Sequence, residues 1–159
     1  MSDFTHVPIV DLSGRAGDEA ERRALAEHLR GICHEIGFVV VTGHGLGSST
    51  IDDVFTLMDR FFALPADNKA LIDKARSPHF RGWEAVGAEQ TNNRRDIREQ
   101  IDLWSEWPEH QGDGPAYLNL LGPNQWMPEE LLPGSRLVMG RWFDELGALA
   151  NDLLGLLSM

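Results

Sequence analysis

The sequence predicts an α/β fold on three observations. "VPIVDL" (residues 7–12) and "FVVVT" (38–42) have the length and composition of strands, apolar residues recur at helical spacing between and after them, and their order, strand, helix, strand, helix, matches a βαβ unit. Only two strands stand out, and a two-stranded sheet is marginal by itself. The strands are therefore expected to belong to a larger sheet, with open edges where that sheet is missing.

Pro8 cannot donate to a ladder, so the first strand begins at or next to it. Asp18 with Glu21 three residues on forms a capping box for the first helix, whose apolar line runs Leu25, Leu29, Ile32, Ile36. Cys33, beside that line, reads as a small buried hydrophobe. Gly37 marks the helix exit. "FVVVT" is continuous enough to be buried on both faces, and "GHG" ends it as a turn. Ser49 or Thr50 is expected to cap a second helix, with Asp52 and Asp53 in its first turn and Ile51, Val54, Phe55, Met58, Phe61 and Phe62 on its buried face. Pro65 opens a shorter helical segment through "ADNKALIDKA".

From Arg76 the periodicity fades into a long segment carrying Trp83, Trp104, Trp107 and Trp126. Those tryptophans argue against plain disorder and for an ordered segment that wraps a partner. Pro133, Gly134 and Ser135 announce a last helix over about 134–158, lined by Val138, Trp142, Leu146, Leu149, Leu153 and Leu157. No glycine, asparagine or basic residue closes it, and "LLGLLSM" is apolar to its last letter, so the polypeptide is expected to have been cut in or just after this helix.

At 159 residues the chain can form one domain with a sizeable core. A net charge of -11, spread along the chain, disfavours nucleic acid and anionic membrane as partners. No run approaches a membrane span, and Asp3 and His6 precede "VPIVDL" without the basic flank of a signal peptide. One cysteine forms no internal disulfide and fits a reducing cytoplasm.

Taken in order, these segments resemble the N-terminal region of the isopenicillin N synthase-like family. Cys33, Gly37 and Phe38 match its Cys-x-x-x-Gly-Phe run, and His44 and Gly45 its Asn-His-Gly, with Gly43 in place of asparagine. Phe61, Phe62, Leu64, Pro65 and Lys69 match Phe-Phe-x-Leu-Pro and the following lysine. Gly82 and Trp83 stand at Gly-Tyr, while Asp96, Arg98 and Glu99 fill Asp-x-Lys/Arg-Glu. "GPNQWMP" resembles Gly-x-Asn-x-Trp-Pro with Met127 inserted. The resemblance implies a helical and short-strand region that normally flanks a double-stranded β-helix (jelly-roll) core, the core itself largely absent. It also implies Fe(II) and 2-oxoglutarate for the intact parent. Their usual ligands, a His-x-Asp pair, a distant histidine and an Arg-x-Ser motif, belong to the part that would follow the long helix.

None of the six histidines has an acid two positions on, which a strand-borne iron ligand pair needs. His44 reads as a turn histidine bonded to backbone. No catalytic, cofactor-binding or metal-binding residue is therefore assigned, and no cofactor is expected on this chain alone. "RRDIREQID" (94–102), taken as helical, sets Arg94 against Arg98 but pairs Arg95 with Glu99 and Arg98 with Asp102. It reads either as a surface ion network or as a wall of the active-site mouth completed by the missing half. On the second reading Arg81, Glu84 and Arg98 are the candidate substrate-side residues. The expected function is the N-terminal part of an iron- and 2-oxoglutarate-dependent oxygenase acting on a small organic molecule, inactive by itself. Its expected partners are the missing C-terminal barrel and, through exposed edges, a second copy. The alternative is a non-catalytic α/β protein-interaction module.

Overall fold

In the computed structural model, which describes residues 6–110 and 114–159, Asp18 opens the first helix as its spacing to Glu21 predicts. Its carboxylate accepts from the amides of Ala20 and Glu21 at 2.9 and 3.0 Å, and Glu21 accepts from the Asp18 amide at 3.0 Å. Asp3 lies outside the described residues. The chain divides into two compact units, one comprising residues up to Ser48 with Asp144–Met159, the other Ser49–Phe143.

In the first unit, β1 (Ile9–Asp11) and β2 (Val40–Thr42) pair in parallel, Ile9 opposite Val40, with helix α1 (Glu19–Glu35) as the crossover. Val10, Leu12, Ala26, Leu29 and Ile32 form its core with Leu156 of helix α4 (Ser135–Leu157). The expectation that "FVVVT" is buried on both faces is corrected. Val39 and Val41 face this core, whereas Val40 is half exposed and Phe38 is 70% exposed. Only one face of the two-stranded sheet is covered, and Val7 and Ile9 share the uncovered one by the strand period of two. Cys33 is exposed, not buried, since one residue beyond Ile32 turns it about 100° from the apolar line. The last helix follows its predicted span, but Leu156 is the buried residue near its end and Leu157 is exposed.

Arg15 fastens the loop after β2, donating to the carbonyls of Gly43 (2.7 Å) and His44 (2.9 Å). His44 Nδ1 accepts from the Leu46 amide at 3.1 Å, the turn role its sequence context predicts. Gly43 has φ +58°, a left-handed conformation open to glycine and, among other residues, best tolerated by asparagine. A Cβ added there would lie 2.1 Å from Asp11 Oδ1 and 2.5 Å from Ser13 Oγ, so the glycine lets this turn close on Asp11 and Ser13 as an asparagine could not without their moving.

The second unit is built on helix α2 (Ser48–Phe62), the short α3 (Ala66–Lys69) and four short strands. Strands β3 (Gly82–Glu84) and β6 (Gln100–Asp102) pair antiparallel, and β4 (Gln90–Thr91) and β5 (Arg94–Arg95) form a hairpin. Leu57, Phe61, Ile72, Trp83, Met127, Leu132 and Met139 form its core. Three expectations are corrected here. Helix α2 starts at Ser48, before the expected caps, so Asp52 and Asp53 fall outside its first turn and Thr50 is buried. Its buried stripe passes through Leu57, leaving Phe55 69% exposed. "RRDIREQID" is strand and loop, not helix, so the expected Arg95–Glu99 and Arg98–Asp102 pairs do not form. Asn92 and Asn93, both at positive φ (52° and 61°), close the β4–β5 hairpin as a two-residue turn of the type asparagine favours. Among the described residues, no helix is long and apolar enough to cross a membrane.

Candidate functional site

Three segments singled out in the sequence meet at one buried ion pair. Lys69, 6% exposed, pairs with Glu99 and donates to the Phe62 carbonyl at 3.0 Å. Glu99 Oε1 also accepts from Trp83 Nε1 at 2.7 Å, and the Lys69 ammonium lies 5.7 Å from the Trp83 ring centre. The lysine after Phe-Phe-x-Leu-Pro, the aromatic at Gly-Tyr and the glutamate of Asp-x-Arg-Glu thus form one structural joint. Sequence reading did not pair Lys69 with Glu99, because nothing local connects them.

Around this joint the β3–β6 ladder sets Glu84 opposite Gln100 and Gly82 opposite Asp102. Lys74 reaches both carboxylates, Asp102 at 2.7 Å and Glu84 at 3.2 Å. The hydrogen bond to Asp102 is the main cause that raises the Lys74 pKa above its ordinary 10.5, with Glu84 assisting and burial opposing. Glu84 also accepts from Gln100 Nε2 at 2.7 Å.

Two open cavities flank Lys74 and Phe80. One, of about 530 Å³, includes Asp73, Ser77, Glu84 and Glu89 in its wall. The other, of about 610 Å³, includes Arg81, Asp102, Trp104 and Tyr117. Arg81 is 6% exposed; its terminal nitrogens donate to the carbonyls of His79 and Leu120, the latter at 2.9 Å. Asn124 secures the chain beside it, accepting from the Trp104 amide at 2.9 Å and donating to the Trp104 carbonyl at 2.6 Å. Gln125 donates to the carbonyls of Asp73 (2.9 Å) and Arg81 (2.7 Å). The "GPNQW" segment is therefore a brace for these walls.

The structure separates the three candidate substrate-side residues. Arg81 and Glu84 line different cavities, whereas Arg98 is exposed, pairs with Glu89 and lines neither. Lys74, Trp104 and Tyr117 were not among the sequence candidates, and the aromatic residues near an arginine were the available signal.

An iron oxygenase needs two imidazoles and a carboxylate on one face of the metal. Among the described residues, no three His, Cys, Asp or Glu side chains converge to hold a metal ion. These residues therefore do not fit the iron site.

The backbone arrangement is that of an oxygenase's N-terminal part. It superposes on a crystal structure of a 2OG-Fe(II) oxygenase family protein from Caulobacter crescentus with a TM-score of 0.77 at 21% identity, over 98% of this chain and 48% of that one. The family described as "non-haem dioxygenase in morphine synthesis N-terminal" matches residues 7–129, and the chain belongs to it. Among curated relatives it is 34% identical to the 2-oxoglutarate-dependent dioxygenase frbJ of Dothideomycetidae sp. (strain 11243), over 98% of this chain and 41% of frbJ. It is 30% identical to an Arabidopsis thaliana homoarginine-6-hydroxylase, over 79% of this chain and 38% of that protein. The chain spans less than half the length of these relatives.

Proposed function

We propose that this chain is the N-terminal portion of an iron- and 2-oxoglutarate-dependent oxygenase acting on a small organic molecule, and that it does no chemistry without the remainder. The observation that carries the reading is the family match over residues 7–129, with relatives named as 2-oxoglutarate-dependent dioxygenases extending over more than twice the span that matches. Iron and 2-oxoglutarate are assigned to the whole enzyme on the strength of its relatives, named as 2-oxoglutarate-dependent dioxygenases. Within that enzyme this chain supplies walls facing the substrate. Of the three candidates Arg81 fits this role best, because the Glu84 carboxylate is already held by Lys74 and Gln100 and Arg98 is engaged by Glu89.

Two measurements test the reading. The 159-residue chain, dialysed anaerobically against Fe(II), is expected to retain no iron and to release no succinate from 2-oxoglutarate. The protein isolated from its native source is expected to have roughly two to two and a half times the mass of this chain, in line with the 48% and 41% of its relatives spanned, and to do both. Iron retention with succinate release by the short chain would overturn its dependence on a second half. A native protein of only 159 residues without either activity would overturn the oxygenase reading in favour of an interaction module.

A further inference from the structure

The 610 Å³ cavity is walled by Lys74, Phe80, Arg81, Asp102, Trp104 and Tyr117, with leucines between them. We propose that it binds a planar, carboxylate-bearing small molecule; this names a substrate class and rests on the oxygenase reading above.

Charge points to the carboxylate. Lys74 is matched by Asp102 and Glu84, but Arg81 makes no ion pair among the described residues. Its Nε is buried without a hydrogen-bond partner, and its terminal nitrogens meet only neutral carbonyls. A buried cation without a counter-charge is unfavourable until an anion approaches it. The wall carries Lys74 and Arg81 against the single carboxylate of Asp102, and that carboxylate is held by Lys74.

Shape and surface point to a planar molecule. Three aromatic residues border the same space and remain largely exposed, Phe80 at 62%, Trp104 at 61% and Tyr117 at 67%. The Arg81 guanidinium carbon lies 5.4 Å from the Trp104 ring centre, so one cation–π pair already stands in the wall. Phe80 sits at φ +58°, a backbone conformation that bulky residues rarely adopt and that is retained here at the rim of the cavity. The volume falls within the roughly 300–1,000 Å³ usual for small-molecule sites and accommodates two fused rings with a carboxylate.

The test is calorimetric titration of the full-length protein that carries this chain, prepared without iron, with 2-naphthoate, its neutral counterpart 2-naphthamide, and cyclohexanecarboxylate, which keeps the charge without the aromatic plane. 2-Naphthoate is expected to bind about tenfold or more tightly than either, and to weaken as salt is raised. Trp104→Ala is expected to lower its affinity about tenfold while the protein stays folded with only a small drop in thermal midpoint, since the ring contact with Arg81 is lost but the bonds to Asn124 use the Trp104 backbone. Arg81→Gln is expected to erase the preference for the acid over the amide. Should that variant unfold, Trp104→Ala and Tyr117→Ala, which truncate exposed rings, decide the matter. Equal affinity for acid and amide, unchanged affinity in both ring variants, or no binding of 2-naphthoate would each overturn the proposal. None of these outcomes requires iron, so each leaves the oxygenase reading to its own test.

Discussion

Replacing Lys69 by methionine tests whether the joint between α3, β3 and the segment before β6 holds the second unit together. Lys69 is 6% exposed and the Glu99 side chain 22% exposed. The substitution keeps most of the side-chain volume but, among the described residues, leaves Glu99 with only the Trp83 indole as donor and removes the bond to the Phe62 carbonyl. Breaking one partner of a well-buried pair typically costs ~3–5 kcal/mol. Discounted for the partial exposure of Glu99, the expected loss is about 2–4 kcal/mol. Glu99→Gln strands the more buried member, the ammonium, and is expected to cost at least as much. The double variant should cost less than the sum of the two by about 1 kcal/mol or more, because neither charge is then left alone. Urea unfolding followed by tryptophan fluorescence reads all three as shifts in midpoint at constant slope. Losses below about 0.5 kcal/mol for both single variants, the range of exposed pairs, would refute the reasoning.

Gly82→Ala is expected to destabilise by about 2 kcal/mol or more, since φ is +121° and an added Cβ would lie 2.2 Å from the Ile72 carbonyl oxygen. Gly31→Ala, in the open interior of α1 with nothing within 4 Å, should instead stabilise by about 0.5–1 kcal/mol; the same urea titrations report both. Because the folded pKa of Lys74 is raised, its stabilisation is fully present below about pH 10.5 and is lost as pH rises through the folded value. Asp102→Asn, which removes the largest cause, should bring that titration down towards the ordinary lysine range, as read by NMR of the Lys74 side chain. Ile9→Thr with Val40→Thr, on the uncovered face of the β1–β2 sheet, should reduce self-association in analytical ultracentrifugation while shifting the melt little; unchanged association would remove that face from consideration.

Local physics made much of this chain legible. A capping box needs only Asp18 and Glu21, a turn histidine only the amide two residues on, and the bounds of α1 and α4 follow from apolar spacing between Asp18 and Gly37 and after Gly134. The hairpin at Asn92-Asn93 was equally local, but the charges of "RRDIREQID" also satisfied a helical spacing, which hid it. Family motifs could be recognised in order without revealing what they do. That Lys69, Trp83 and Glu99 form one joint depends on a fold that brings separate segments together.

Burial and charge compensation were decided by tertiary structure alone. "FVVVT" has the composition of a doubly covered strand, yet Phe38 and Val40 are exposed because coverage depends on what packs over a strand, not on its own residues. Helix α2 is amphipathic from its sequence, but the core met the stripe through Leu57 and left Phe55 outside. Among the described residues Arg81 is a buried cation without an ion pair, because the fold sets it against the carbonyls of His79 and Leu120 while the nearby Asp102 is held by Lys74. Sequence determines which residues can form an element, cap it or turn it, since those forces act within a few residues. Where a side chain is desolvated and which charge answers it are set by contacts between distant segments, and these exist only once the chain has folded.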